Sequence, residues 1–231
     1  MTNVVPLSDG EIITASMALT RDDAEHSDDL GDMLLRACDV VRVYLTEPQE
    51  PRAWMSATGV ALYRNCKGGM LAAFLDCESL PGYHLVVSPQ CQYSDDYVVR
   101  MVHHIEKYGR QAVVGVGGGY NLEPRGFRPL PAHESLPRDL PIHELDIRTI
   151  AYHAGTIKLA RESLGPAAVG TWPNHILAVW AQLYGIPMVA VQRYNGWVNA
   201  PVMPRCTTEA DTNYGRVPIE ITKPWVLYAV R

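Results

Sequence analysis

The strongest constraint on the fold is an alternation of two periodicities. Runs such as "EIITASMAL", "VVRVYLT", "GVALYRN", "YHLVVS" and "QAVVGVG" are mostly apolar, rich in valine and isoleucine, and bounded by polar or turn residues. Their length and β-branched content mark them as strands covered on both faces rather than as helices. Between them lie segments with helical spacing. One is "SDDLGDMLLRACD", opened by Ser27 or Asp28 as a cap with acids in its first turn. The other is "SDDYVVRMVHHIEKYG", apolar at positions 97, 98, 101, 102 and 105. Strand, helix and strand in turn predict β-α-β units, hence an α/β fold with a mostly parallel central sheet flanked by helices. A chain of 231 residues suits one such domain.

Composition narrows the function classes. With 47% hydrophobic and 19% charged residues the chain reads as globular, and no apolar run approaches the roughly 20 residues of a membrane span. The opening "MTNVVPLSDGEII" lacks the basic-then-apolar layout of a signal peptide, so the expectation is a soluble, cytoplasmic protein. A formal net charge of −5 argues against general affinity for phosphate backbones. The cysteines, 38, 66, 77, 91 and 206, form no C-x-x-C pair and read as incidental thiols.

The regular pattern breaks at "YNLEPRGFRPLPAHESLPRDLP", where five prolines predict a long surface loop over 120–141. It resumes with a strand "LDIRTIAYH", a helix around "WPNHILAVWAQLYG", a strand "PMVAVQR" and a final "PWVLYAV". A second irregular stretch covers 199–218. "GVGGGYN" follows a strand but departs from the G-x-G-x-x-G fingerprint at Tyr120 and opens no helix. Its glycines read instead as a strand end passing close to other backbone or to a ligand.

The order of segments resembles a bacterial glycosyltransferase of the GT-A fold, from the family 2-like group. The residues that carry the likeness are "VVRVYLT", "PGYHLVVSPQCQYSDDYVVRMVHHIEKYGRQAVVGVGGG", "RTIAYHAGTIKL" and "NHILAVWAQLYGIPMVAVQRYNGWV", spanning roughly 12 to 200. The resemblance implies a single GT-A-like, Rossmann-like domain, with a nucleotide-binding half at 12–119 and an acceptor-side half at 142–200. It implies a nucleotide-sugar donor, uridine-based by family habit. The acceptor stays open among a glycan, a protein or a modified nucleic-acid base, as does a protein partner or a homo-oligomer.

The departures fall where the chemistry belongs. The family's aspartate (DXD-type) metal motif falls on Ser88-Pro89-Gln90, its histidine on Gly117, its "GTG" near Ile147-Arg148-Thr149 and its helix-opening acid on Asn174; of its lysine only Lys67 remains, several residues early. Neutral oxygens bind magnesium or manganese far more weakly than carboxylates do, so no bound metal or other cofactor is expected. Three readings follow: an active enzyme meeting the leaving diphosphate with cations, a pseudoenzyme kept for binding, or a different reaction on the same scaffold.

Candidate cations are Arg148, Arg193, Lys158, Arg125 and Arg128, and candidate bases are Asp95, Asp96, Glu144, Asp146 and His175. His153, at the end of "AYH", faces the reacting groups or is a satisfied core residue. Asn174 and His175 open a helix after Pro173 and can point at the cleft. Asp95 and Asp96 most simply cap the helix behind them. Ser16 and Arg21, at the end of the first strand, are expected beside Ser88 and Gln90 in one cleft. Trp197, with Tyr194, stacks on a sugar or packs a turn.

Overall fold

Ile12–Leu19 forms β1, whose side chains alternate between two covered faces, as a central strand requires. The computed structural model describes residues 10–64, 66, 69–75, 80–121, 127–157 and 173–200. After β1 come α1 (Arg21–Glu25), α2 (Asp28–Ala37), β2 (Val40–Leu45), β3 (Val60–Tyr63), α3 (Gly69–Leu75), β4 (Gly82–Val87), β5 (Gln92–Tyr93) and α4 (Tyr97–Lys107). The second half adds β6 (Val113–Gly115), β7 (Gly118–Asn121), β8 (Phe127–Leu130), β9 (Leu140–Pro141), β10 (Glu144–Leu145), β11 (Thr149–His153), α5 (Pro173–Leu183), β12 (Met188–Ala190) and β13 (Val198–Asn199).

The main sheet has the order β3-β2-β1-β4-β11-β6-β12-β9. β3, β2, β1 and β4 are parallel, and β6 and β12 run the same way. β11 lies antiparallel between β4 and β6, and β9 runs antiparallel to β12. The expected mixed α/β architecture with a mostly parallel sheet is therefore present. Parallel pairing gathers the carboxyl ends of β1 to β4 on one edge, where open α/β sheets bind ligands. The antiparallel β11 begins on that edge, with Thr149 opposite Val87, and finishes on the other, with His153 opposite Tyr83.

Each face of the sheet carries its own core. Leu85 and Val87 pack with α2, α4, Trp54 and Trp197, whereas Val86 packs with Phe74, Ile150, Tyr152 and Trp180 under α3 and α5. Burying one such leucine or valine contributes about 1.5–3 kcal/mol, so the alternation fixes which face each helix covers. Trp54 lies so close over Gly31 that a Cβ there would meet its ring at 2.4 Å.

Local details depart from the sequence reading. The 120–141 stretch is not a plain loop: β7 and β8 form a hairpin joined by β10, and β9 adds to the main sheet. The glycines of "GVGGG" have the close-approach role expected. A Cβ on Gly118, at φ +150, would sit 2.1 Å from the Glu144 carbonyl oxygen. Ser27 and Asp96 occupy the cap positions of α2 and α4, yet neither side chain makes a cap hydrogen bond to its helix's backbone. The Ser27 hydroxyl donates instead to the Ala24 carbonyl at 2.8 Å. "PWVLYAV" and positions 201–218 lie outside the described residues. Among the described residues, no helix is long and apolar enough to cross a membrane.

Candidate functional site

Three segments converge on the edge where β1 and β4 end. Behind Val87 the chain turns through Ser88, Pro89 and Gln90, and the Cys91 amide donates to the Ser88 carbonyl at 3.0 Å. The Ser88 amide donates to the Tyr93 hydroxyl at 2.9 Å, and that hydroxyl donates to the Arg148 carbonyl at 2.6 Å. Burial pushes the Tyr93 hydroxyl well above the ordinary tyrosine range, so it stays protonated and tethers the β4 turn to the start of β11.

Arg148 faces this turn. Its Nε lies 3.0 and 3.2 Å from the two Asp146 carboxylate oxygens, its Nη2 donates to Asp146 at 2.8 Å, and its Nη1 is 3.5 Å from Gln90 Oε1. Burial alone would lower the Arg148 pKa; the hydrogen bonds and charge of Asp146 outweigh it and hold the group above its ordinary value. The 146–149 turn is braced from behind. Thr149 donates to the Asp146 carbonyl through its amide at 2.9 Å and its hydroxyl at 3.1 Å, while the Val116 and Gly117 amides donate to that hydroxyl at 3.3 Å. Asn174, in the first turn of α5, accepts from the Ile147 amide at 2.8 Å. Asn174 is thus a brace for the Arg148 turn.

The third segment is α1. Thr20 and Asp23 form a reciprocal cap, with 3.2 Å bonds from the Asp23 amide to the Thr20 hydroxyl and from the Thr20 amide to Asp23 Oδ2. Asp23 Oδ1 accepts from Gln90 Nε2 at 3.2 Å. The Gln90 amide therefore joins a carboxylate of α1 to the guanidinium of Arg148, across the end of β4.

Two cavities flank that bridge. The first, about 660 Å³, opens beyond the carboxyl ends of β1, β2 and β3 and is lined by Arg21, Leu45, Glu47, Glu50, Arg52 and Arg64, among others. The second, about 1000 Å³, runs between α2 and the 89–95 segment and is rich in acids, including Asp28, Asp29, Asp32 and Asp95. The first suits an anionic ligand better, because carboxylates dominate the second.

Glu144 stands two positions before Asp146, on the opposite face of the chain from Leu145, which packs into the core. Burial, with the Asp146 charge adding to it, pushes the Glu144 carboxyl up to about 7. It can therefore exchange a proton near neutral pH.

Other residues singled out in the sequence lie elsewhere. His153 sits opposite Tyr83, on the far edge, separated from Thr149 by about 13 Å of strand. There His153 Nε2 is 3.1 Å from Glu11, which also pairs with Arg110, in a network that includes Glu106 and Tyr83. The sequence could not show this, because the direction of β11 is set by its neighbours. Ser16 is fully buried in the body of β1 beside Arg42 and Val86, so it does not line the cleft; Arg21, just past the strand, does line the first cavity. Arg193 is buried and donates to the carbonyls of Ala132 at 3.1 Å, Val191 at 3.3 Å and Pro131 at 2.7 Å. It clips a loop rather than facing a cleft, and burial pushes its pKa down to about 10.

Trp197 is buried with its indole donating to Asp96 at 2.9 Å, which leaves Tyr194 as the exposed ring of that pair. Burial works against the Asp96 charge, but bonds from Ser94 and Trp197 and the nearby Arg100 outweigh it and hold the carboxyl below the usual range. Asp96 therefore pins the 194–197 turn to α4. The His175 side chain and Lys158 lie outside the described residues. Tyr93 and Asp23 were not singled out from the sequence. The Thr20-x-x-Asp23 spacing was a readable capping signal; nothing local marks Tyr93, whose partners come from distant segments.

The sheet order, with one antiparallel strand inserted beside β4, defines a GT-A-like α/β fold. Among solved structures the chain is similar to GalNAc-T7 with UDP, GalNAc and Mn2+, at TM-score 0.55 and 10% sequence identity, over 82% of this chain and 45% of that one. The chain thus spans less than half the length of that structure, and at this identity the likeness shows the fold. No protein-family model matches the chain, and no curated protein matches it in sequence.

Proposed function

We propose that the chain is a nucleotide-sugar-dependent glycosyltransferase that meets the leaving diphosphate with Arg148 in place of an aspartate-held divalent ion. The observation that carries this reading is the approach of Arg148 Nη1 to Gln90 Oε1, at 3.5 Å, at the end of β4. The donor set there does not fit a hard divalent cation. Ser88 and Gln90 offer neutral oxygens, Asp146 is held by Arg148, and Asp23 is engaged by Thr20 and Gln90. A guanidinium within hydrogen-bond reach also repels a second cation.

In the reaction the bond from the sugar's anomeric carbon to the phosphate oxygen breaks, and charge grows on the departing diphosphate. A preorganised cation at that point stabilises the transition state, typically by a factor of 10² to 10³ per donor. The acceptor hydroxyl forms the new bond and loses its proton, and Glu144 is the carboxyl suited to take it near neutral pH. Asn174 acts indirectly, by fixing the turn that presents Arg148.

Turnover of a panel of nucleotide sugars, with and without a chelator, tests this. Activity and nucleotide binding should survive the chelator, and Arg148→Met should cut turnover on the order of 10²-fold, far more than Asp95→Asn. A strict requirement for manganese would overturn the proposal. A second reading, a binding protein without chemistry, is favoured by the Asp23–Gln90–Arg148 bridge, which ties the strand end to itself. It predicts nucleotide-dependent thermal stabilisation with no turnover for any donor.

A further inference from the structure

The first cavity holds side chains that the bridge at Gln90 does not use. Its floor is the 46–50 segment, pinned to the end of β1. The Thr46 amide and hydroxyl each donate to the Leu19 carbonyl at 3.0 Å, Gln49 Nε2 donates to the same oxygen at 3.2 Å, and Arg21 Nη2 donates to the Pro48 carbonyl at 3.0 Å. Glu47 and Glu50 are thereby displayed, exposed, from a fixed segment. Arg52 is committed to Asp28, whereas Arg64 emerges exposed from the end of β3. Two carboxylates and two or more guanidinium groups therefore line one preorganised cavity of about 660 Å³, a volume within the range of small-ligand sites.

Arg21 and Ala24, on either side of the Asp23 that Gln90 bonds, line this cavity, so with the diphosphate at Arg148, as the proposed function holds, a base lying past α1 enters it, and its hydrogen-bonding edge must match these charges. Uracil presents an imide N–H between two carbonyl oxygens, so a carboxylate gains one bond and faces a repelling oxygen. Adenine and cytosine present one amino donor beside a ring-nitrogen acceptor. Guanine alone places two donors, N1–H and the N2 amine, side by side to match both oxygens of a carboxylate. It also carries O6 and N7, two acceptors that match an arginine fork.

We propose that this cavity reads guanine, with Glu47 or Glu50 taking the N1–H and N2 amine and Arg64 or Arg21 facing O6 and N7, so that the donor is a guanosine diphosphate sugar. The inference rests on the nucleotide-sugar reading and adds the base to it. Size alone would not select the base. The pairing of carboxylates with arginines does, because a carboxylate opposite a carbonyl oxygen is penalised as strongly as a matched pair is rewarded.

Isothermal titration of the full chain with GDP, IDP, UDP and ADP, in the presence of a chelator, tests it. GDP should bind at least about tenfold tighter than UDP or ADP, and IDP, which lacks the N2 amine, should fall by about the same factor relative to GDP. The double variant Glu47→Gln with Glu50→Gln changes only exposed side chains. It should abolish the preference for GDP over UDP while circular dichroism and melting stay unchanged. UDP binding as tightly as GDP would overturn the guanine assignment and leave the glycosyltransferase reading standing. A GDP preference that survives the double variant would overturn the assignment to this cavity. Failure of every nucleoside diphosphate to bind would defeat the underlying reading and, with it, this inference.

Discussion

Removing the charge of Glu144 should change how stability depends on pH, with a sign and window that follow from its surroundings. Burial beside Asp146 raises its carboxyl from 4.5 to about 7, so the folded chain binds this proton more tightly than the unfolded chain does. Stability associated with the neutral form is therefore present below pH 4.5 and lost as pH rises to about 7. At 1.36 kcal/mol per unit this amounts to roughly 3 kcal/mol. His84 opposes it. Burial lowers the His84 pKa from 6.5 to about 4, so this buried neutral histidine makes stability rise over nearly the same window. The wild-type profile between pH 4.5 and 6.5 should accordingly be shallow through cancellation. In Glu144→Gln the His84 contribution stands alone, and stability should climb with pH. Urea denaturation of both proteins at several pH values from 4 to 8 gives the difference curve. That curve should be flat below pH 4.5 and favour the variant by roughly 2–3 kcal/mol more at pH 8 than at pH 4. Parallel profiles would refute a perturbed Glu144 and remove the main argument for it as the base.

Tyr93→Phe removes both bonds between the β4 turn and Arg148 and should cost about 1–3 kcal/mol in urea denaturation, with turnover falling at full folding; an unchanged midpoint would show that the tether is dispensable. Gly118→Ala forces a Cβ to within 2.1 Å of the Glu144 carbonyl and should cost about 3 kcal/mol or more, read as a lowered melting temperature. Arg193→Met should destabilise the fold by about 2–4 kcal/mol, with kcat per folded molecule little changed; the opposite pattern would return Arg193 to the cleft. Ser88→Asp with Gln90→Asp should bind manganese poorly while Arg148 is present, since Arg148 would pair with the carboxylate introduced in place of Gln90. Adding Arg148→Met should create metal binding measurable by calorimetry.

The expectation of a mostly parallel, helix-covered sheet rested on features a sequence displays locally. "VVRVYLT" and "YHLVVS" are uniformly apolar because central parallel strands are covered on both faces, and the stripe at 97, 98, 101, 102 and 105 predicts α4 because one helix face must be buried. The neutral oxygens of Ser88 and Gln90 were legible for the same reason, since residue type alone bears on which ion a strand end can hold. For His153 and Trp197 the sequence left a cleft role and a packing role open, and for Arg193 it offered a cleft role, because their roles depend on partners far away in sequence. Each reads identically, as a lone polar or aromatic residue, whether it faces a cleft or satisfies distant groups.

The sequence by itself determined the layered architecture and the neutral character of the residues that follow β4, because hydrophobic period and residue chemistry are properties of short segments. Tertiary structure alone decided the antiparallel direction of β11, which carries His153 to the far edge while bringing Arg148 to Gln90. It also decided that Asp23 and Tyr93 join the candidate site, and that Glu144 is half-buried beside Asp146. Strand direction and burial are set by which neighbours a segment pairs with, and no local pattern encodes a partner many residues away.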